Sequence, residues 1–452
     1  MKTRILAVLA ILMLALPLGA VLADGHTATV GSIIANSEDH TVLLAAAEAA
    51  GLTEALAGEI TVFAPTDAAF EEALGALGVD AETLLGATDL LTMLLTYHVV
   101  PAAVTSDMLS NGPVSTLEGS PVQVNVSDMG VMIDQASVTA ADIVAADGGV
   151  VHVVDSVLLT LPNDPAAAAG DIAAAGSSTV FPLAERIKDE YEAAGFAGTL
   201  TIDSIGSGAG FERFCEQGAS DISNASRAIR DSEIESCETI GRSPIEFRVG
   251  TDALAVTVSA DNEFIEEATV EELALIFGEA VNWSDVNADW PNEPIERFIP
   301  GTDSGTFDYF VEEVFDEDST AILAQDPTTS ENDNVLVEGI QGNPNAIGFF
   351  GFAYFAENDD VLKALSIDGV EPNAANVDSG DYPLARPLFI YSTADIMAEN
   401  PQVGDFVAYF MSDVSDYVVE VGYFPAAADA IAGAKVEYLR QVVLGTGPMG
   451  DM

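Results

Sequence analysis

The chain has 452 residues, enough for two or three domains, and 49% of them are hydrophobic, enough for sizeable cores. Acidic residues number 73 against 14 basic ones, a formal charge of -59 at pH 7. That balance excludes nucleic acid and anionic membrane surfaces as partners, because both demand basic patches. It favours solubility and suits a saline setting, and it leaves the fold open.

Lys2 and Arg4 precede an apolar run from Ile5 to Val21, and Ala-Val-Leu-Ala23 has the small residues of a cleavage site before Asp24. Residues 1–23 therefore read as a secretion signal. An uncleaved anchor is the alternative, since the run approaches spanning length. No cysteine follows the run, which speaks against a lipid-anchored form, and no other stretch is apolar enough to span a membrane. In an exported chain Cys215 and Cys237 pair most simply as a disulfide. Two thiols and four scattered histidines make no structural zinc site, so neither metal nor cofactor is expected.

From Thr27 to Leu161 the pattern predicts mixed helix and strand. Gly31–Asn36 and Thr41–Ala50 read as helical, with a stop at Gly51. Ile60-Thr-Val-Phe-Ala-Pro65 reads as a strand running into a helix capped by Thr66 or Asp67. Leu90–Leu95 is helical, Tyr97-His-Val-Val100 is strand-like, and short alternating strands follow from Val114 to Leu161. His98 and His152 stand beside apolar strand residues, where a histidine is more often a hydrogen-bonded core group than a ligand.

Three segments here resemble the signatures of a fasciclin domain. They are Thr61-Val-Phe-Ala-Pro-Thr-Asp-Ala-Ala-Phe70, Leu94-Leu-Thr-Tyr-His-Val-Val100 and Gly149-Val-Val-His-Val-Val-Asp-Ser-Val-Leu158. The resemblance implies a compact α+β fold over 27–161 and a role in adhesion or protein contact at a cell surface or matrix. Tyr97-His98 is the family's adhesion-linked pair, and its part there includes holding the fold.

Pro162-Asn-Asp-Pro-Ala-Ala-Ala-Ala-Gly170 lacks periodicity and reads as a linker. Beyond it, strand-like and helix-like segments alternate, as in an α/β domain. One design recurs three times there: a loop of small residues opening a helix. The copies are Gly176-Ser-Ser-Thr-Val-Phe-Pro182, Ser204-Ile-Gly-Ser-Gly-Ala-Gly210 and Gly301-Thr-Asp-Ser-Gly-Thr306. Each leaves backbone N–H groups unpaired at the positive end of a helix dipole, which suits an anion; an ordinary N-cap is the plainer reading. Between the last two lies Asp221-Ile-Ser-Asn-Ala-Ser-Arg-Ala-Ile229, where Ser226 and Arg227 offer a hydroxyl and a charged fork. No histidine stands near these motifs and no Ser–His–Asp arrangement emerges, which favours a binder over an enzyme.

Residues 171–446 resemble the substrate-binding protein of the high-affinity phosphate ABC transporter. The three loops carry the resemblance, with Asp221–Ile229, Trp283 in Asn-Trp-Ser-Asp, Ala346-Ile-Gly-Phe-Phe-Gly-Phe-Ala-Tyr354, Tyr382-Pro-Leu-Ala-Arg-Pro-Leu-Phe-Ile-Tyr391 and Val421-Gly-Tyr-Phe-Pro425. It implies a type II periplasmic-binding-protein fold, two α/β lobes on a hinge that close over inorganic phosphate. Carried over, phosphate meets Ser178, Thr179, the backbone of Val180, Ser207, Ser226, Arg227, Ser304, Gly305 and Thr306. Some members place an aspartate at the position of Ser226 and an arginine at that of Pro300, so here Arg227 is expected to supply the positive fork, steered by Asp303. Arg242, Arg248 and Arg386 read as partners for the abundant carboxylates. Residues 447–452 form a tail.

The leading expectation is thus an exported phosphate-binding protein, in the periplasm or at the cell surface, that serves an ABC permease and carries a fasciclin contact domain. The alternatives are an adhesion or matrix protein that merely senses or retains phosphate, and a phosphate-ester hydrolase. The last lacks a base, a nucleophile partner and a metal cluster.

Overall fold

The structure, a computed structural model, describes residues 28–446 apart from Asp128, Asp303, Glu317 and Glu331. The expected signal segment, Asp303 and the tail lie outside the described residues. The chain forms two compact units: the first takes in the residues up to Ala73 and Ala81–Leu158, the second the short segment Leu74–Asp80 and everything from Leu159 on.

In the first unit a seven-stranded sheet runs in the order Val99–Val100, Thr61–Pro65, Val150–Val154, Ala136–Val144, Gly130–Ile133, Pro121–Ser127, Gly112–Ser115. The three signature segments, far apart in sequence, are neighbours here. Thr61–Pro65 pairs in parallel with Val150–Val154 and antiparallel with Val99–Val100. As expected, the helices Val30–Ala35 and Thr41–Ala49 precede the sheet, and the strand Thr61–Pro65 runs into the helix Asp67–Leu77. Gly51 takes φ 69° after the second of them, the left-handed stop that glycine accepts without strain. Thr66, not Asp67, caps the third: its Oγ1 accepts the Ala69 N–H at 3.2 Å, while Asp67 accepts from Thr41 Oγ1 and the Val42 N–H at 2.6 and 2.8 Å.

The expected strand over Tyr97–Val100 is shorter. Tyr97 ends the helix Thr88–Tyr97, and only Val99–Val100 is extended. The turn between them points both polar rings inward. Tyr97 Oη donates to Asp134 Oδ2 at 2.8 Å and also lies 3.0 Å from Pro121 O, both in its own unit. His98 Nδ1 donates to Leu94 O at 2.7 Å, and its Nε2 accepts the Leu158 N–H at 2.9 Å. Both ring nitrogens of the neutral imidazole are engaged, and burial holds the pKa down to about 4. His152 is fully buried, with Nε2 2.9 Å from Val104 O. Both histidines are structural groups.

The second unit takes in Leu159–Leu161, expected to end the first domain, and the segment expected as a linker. Lys435 Nζ donates to Leu159 O at 3.0 Å, and the Asp164 N–H to Asp405 Oδ2 at 2.6 Å. That unit is two-lobed. One lobe has the strand order Thr199–Ser204, Asp171–Gly176, Ile222–Ala225, Ala385–Thr393 and then the first half of Pro244–Ser259. The other lobe is built on the second half of that same strand. There Leu254–Val258 pairs with Ala346–Gly351, which leads on to Glu296–Pro300 and Thr328–Ser330, and Thr257–Ser259 pairs with Leu362–Ala364.

The shared strand has 16 residues, buried without a break from Val249 on, as expected of a strand covered on both faces. A bulge between Arg248 and Gly250 precedes the crossing. A Cβ on Gly250 would stand 2.9 Å from Val418 Cγ2 and 3.1 Å from Phe424 O, so only glycine lets these segments meet. The second lobe's core centres on Trp283, Phe277, Phe310 and Phe349, the last two rings stacked at 3.8 Å. In the first lobe Cys215 and Cys237 form the expected disulfide, 22 residues apart in sequence, tying the helical turn Glu212–Glu216 to the helix Asp231–Thr239.

Two outcomes follow from these contacts. The folded pKa of His98, about 4, lies below the 6.5 of an exposed histidine, so its share of stability is complete above pH 6.5 and is lost as pH falls towards 4. Denaturant unfolding of wild type against His98→Gln between pH 7 and 4 should show that difference fading by about 3 kcal/mol. Replacing Cys215 and Cys237 together by serine should lower the stability of the second unit by about 3 kcal/mol, the chain-entropy value for a loop of this length, read in the same unfolding experiment.

Candidate anion-binding site

Each of the three loops opens a helix, as its sequence predicts: Phe181–Ala193, Ser207–Phe211 and Gly305–Phe315. The first two are stitched together at Gly176. Its carbonyl accepts the N–H groups of Ile205 and Gly206 at 2.9 and 2.8 Å, and the next amide, Ser177, donates to Asn224 O at 2.9 Å. Gly176 has φ 145°, and a Cβ there would fall 2.0 Å from Asn224 O. The loop's close approach to the strand Ile222–Ala225 therefore requires glycine.

Ser177 lies just ahead of the first helix, whose N-cap is Val180. Its Oγ accepts the Thr179 N–H at 3.2 Å and the Val180 N–H at 3.4 Å, both long. Ser178 is exposed and Thr179 buried. The second loop meets the strand end through Ser207, whose Oγ stands 3.2 Å from Ser226 Oγ and accepts the Ser226 N–H at 3.1 Å. These two serines, 19 residues apart in sequence, are in contact.

The third loop belongs to the other lobe. Ser304 is an N-cap in the plain sense, its Oγ accepting the Thr306 N–H at 3.2 Å. Yet the loop also faces the first one. A Cβ on Gly305 would stand 3.8 Å from Ser178 O and 3.9 Å from Thr179 Cα. Two helix N-termini from two lobes thus approach closely, with the Thr179, Val180 and Thr306 amides donating to bent-back serine hydroxyls over long distances. An anion with more negative charge than a serine hydroxyl competes well for such amides.

Arg227 is placed differently from the expectation that its fork is free for a ligand. Nη1 and Nη2 donate to Glu233 Oε2 and Oε1 at 2.8 and 2.6 Å, and the guanidinium lies 5.2 Å over the Phe211 ring. The bonds to Glu233 raise the Arg227 pKa. For Glu233 burial pushes the other way, but the bonds from Arg227 and the Arg230 N–H outweigh it and hold the carboxyl low. The pair is adjacent to Ser226, and Glu312 on the helix Gly305–Phe315 is within electrostatic reach of Arg227.

The cation that touches the third loop is Arg386. Its Nη2 donates to Gly305 O at 3.3 Å and its Nε to Asp252 Oδ2 at 3.1 Å. The sequence gives no sign of the contact with Gly305, and it suggests a carboxylate partner for Arg386 without naming one. A signal existed: Asp252 interrupts the apolar run Val249–Val258, and a carboxylate in a buried strand calls for a buried cation. Arg242 departs from the expected carboxylate pairing and donates instead to the carbonyls of Phe214, Ser220 and Gly218 at 2.7, 2.9 and 3.2 Å.

The family model described as PBP superfamily domain matches residues 162–414, and that described as Fasciclin domain matches residues 38–160. Protein SphX of Synechococcus elongatus is 40% identical over 274 residues, covering 58% of this chain and 80% of SphX. The phosphate-binding protein PstS of Staphylococcus saprophyticus is 34% identical over 260 residues, covering 56% of this chain and 80% of PstS. Among solved structures, one described as a possible phosphate binding protein from Planctomyces limnophilus is 37% identical with a TM-score of 0.56, covering 60% of this chain and 100% of that one. With two thirds of these relatives' length and more than half of its own covered, this chain belongs to the PBP superfamily and carries a fasciclin domain ahead of the superfamily domain.

Proposed function

We propose that the second unit binds inorganic phosphate between its lobes and delivers it to an ABC-type permease outside the cytoplasm, as a binder and not an enzyme. The observation that carries this reading is the approach of Gly305 to Ser178 and Thr179 across the two lobes. It sets two sets of helix-opening amides against one volume, beside the Ser207–Ser226 pair. Relatives named phosphate-binding proteins support the choice of anion.

In this reading the ligand oxygens are met by Ser178, Thr179, the Val180 amide, Ser207, Ser226, Ser304, Gly305 and Thr306. Arg227 joins by yielding one carboxylate contact of Glu233 to the ligand. Asp303 steers from the third loop. The hydroxyls of Ser207 and Ser226 can accept as well as donate, so they serve the proton that phosphate retains and sulfate lacks. The overall acidity does not forbid capture, because exposed charges beyond about 8–10 Å are screened at physiological salt. The fasciclin domain holds the protein to a surface or matrix, where an adhesive role supplements uptake.

Calorimetric titration of the ligand-stripped chain at low and high salt tests this. Phosphate should bind at both, with little heat from sulfate, and an absence of heat from either sinks the phosphate reading in favour of adhesion. Arg227→Ala should weaken phosphate binding at least about tenfold, the worth of a lost charged hydrogen bond, whereas unchanged affinity removes Arg227 from the pocket.

A further inference from the structure

The chemistry left unused by that reading lies where the long strand Pro244–Ser259 passes from one lobe to the other. Asp252 and Arg386 are register partners on adjacent antiparallel strands, 2% and 8% exposed. Past them the pairing changes: Ala253 still faces Ala385, and Leu254 faces Gly351 in the other lobe. The Arg386 guanidinium sits 3.7 Å over the Tyr309 ring, and Nη1 lies 3.7 Å from Glu312 Oε2. Its remaining bond goes to Gly305 O at 3.3 Å.

The other loop is held from the same point. Tyr423 Oη donates to Thr179 O at 2.8 Å. Its neighbour Phe424 exchanges both backbone bonds with Thr251, at 2.9 and 2.8 Å, one residue before Asp252. The carbonyls that these two side chains grip are significant. In a planar trans peptide the C=O and the following N–H point in opposite directions. Gripping Gly305 O therefore aims the Thr306 N–H away from Arg386, and gripping Thr179 O aims the Val180 N–H away from Tyr423. A donor on the carbonyl also polarises the N–H across the same peptide unit. Thr306 and Val180, like Thr179, are amides whose present acceptors are long serine contacts, at 3.2, 3.4 and 3.2 Å.

The geometry points to Arg386 and Tyr423 as positioning residues of the anion site. They aim and polarise one amide from each lobe, and Asp252 holds Arg386 in register with the lobe crossing. This inference rests on the phosphate reading above. No contact of either side chain with the ligand is required.

The test uses the full chain, with phosphate as the probe. Tyr423→Phe removes one hydroxyl and should bind phosphate about 3- to 10-fold more weakly, with its melting temperature lowered by only a few degrees. In the ligand-free variant the Val180 amide proton should move upfield, a signature that loss of packing alone does not give. The Asp252→Asn, Arg386→Gln double variant keeps a hydrogen-bonding pair without charge and should bind about 10- to 100-fold more weakly, with the Thr306 amide shifted likewise. Wild-type binding with variant affinities unchanged, or with losses that only track the unfolded fraction, overturns the inference alone. A wild type that binds no phosphate overturns both the inference and the reading beneath it.

Discussion

A buried carboxylate and a buried guanidinium, side by side where one strand enters two sheets, constrain everything around them. Burial pushes the Asp252 carboxyl above its usual range, against the pull of Arg386, so each charge is tolerable only while the other is in place. An apolar pair of equal size would serve packing as well. The ionic pair adds direction: Arg386 has donors to spare and places one on the first carbonyl of the helix Gly305–Phe315. The lobe junction and the anion loops are thereby a single hydrogen-bonded assembly.

Much of this was legible in the sequence. Small residues followed by apolar residues at helical spacing located all three loops, because a helix N-terminus advertises itself by what its cap requires. The fasciclin segments were legible for a different reason: Thr61–Pro65, Val99–Val100 and Val150–Val154 are adjacent strands, so their side chains answer to one another. Charge partners were harder. Arg227 is satisfied by Glu233, six residues on, at a helix start whose cap also engages that carboxylate through the Arg230 N–H at 2.8 Å. Spacing alone does not reveal which of two acceptors a fork prefers. Arg386 reaches Gly305 across 81 residues, and no local pattern encodes that contact.

The scarcity of cations takes on another meaning in three dimensions. Of only 14 basic residues, several are spent indoors. Arg297 donates to the carbonyls of Ile276, Ala280 and Ile295, and burial lowers its pKa to about 10. Arg242 likewise serves three carbonyls, and Lys435 that of Leu159. These groups neutralise little of the exterior, so the surface that solvent meets is more one-sided than the formal count implies. Long-range steering of an anion is weak on such a surface, and recognition falls to contacts within the loops.

The strand Pro244–Ser259 has a last consequence, one of assembly history. Because its two halves belong to different sheets, neither lobe exists as a self-contained stretch of chain. Cutting the chain within that strand would separate its two halves and break the sheet that joins the lobes, baring strand edges that invite aggregation. The lobes must therefore have been inherited, expressed and folded as one object. The sheet of the fasciclin domain, by contrast, closes within residues 61–154 and, among the described residues, shares no strand with either lobe.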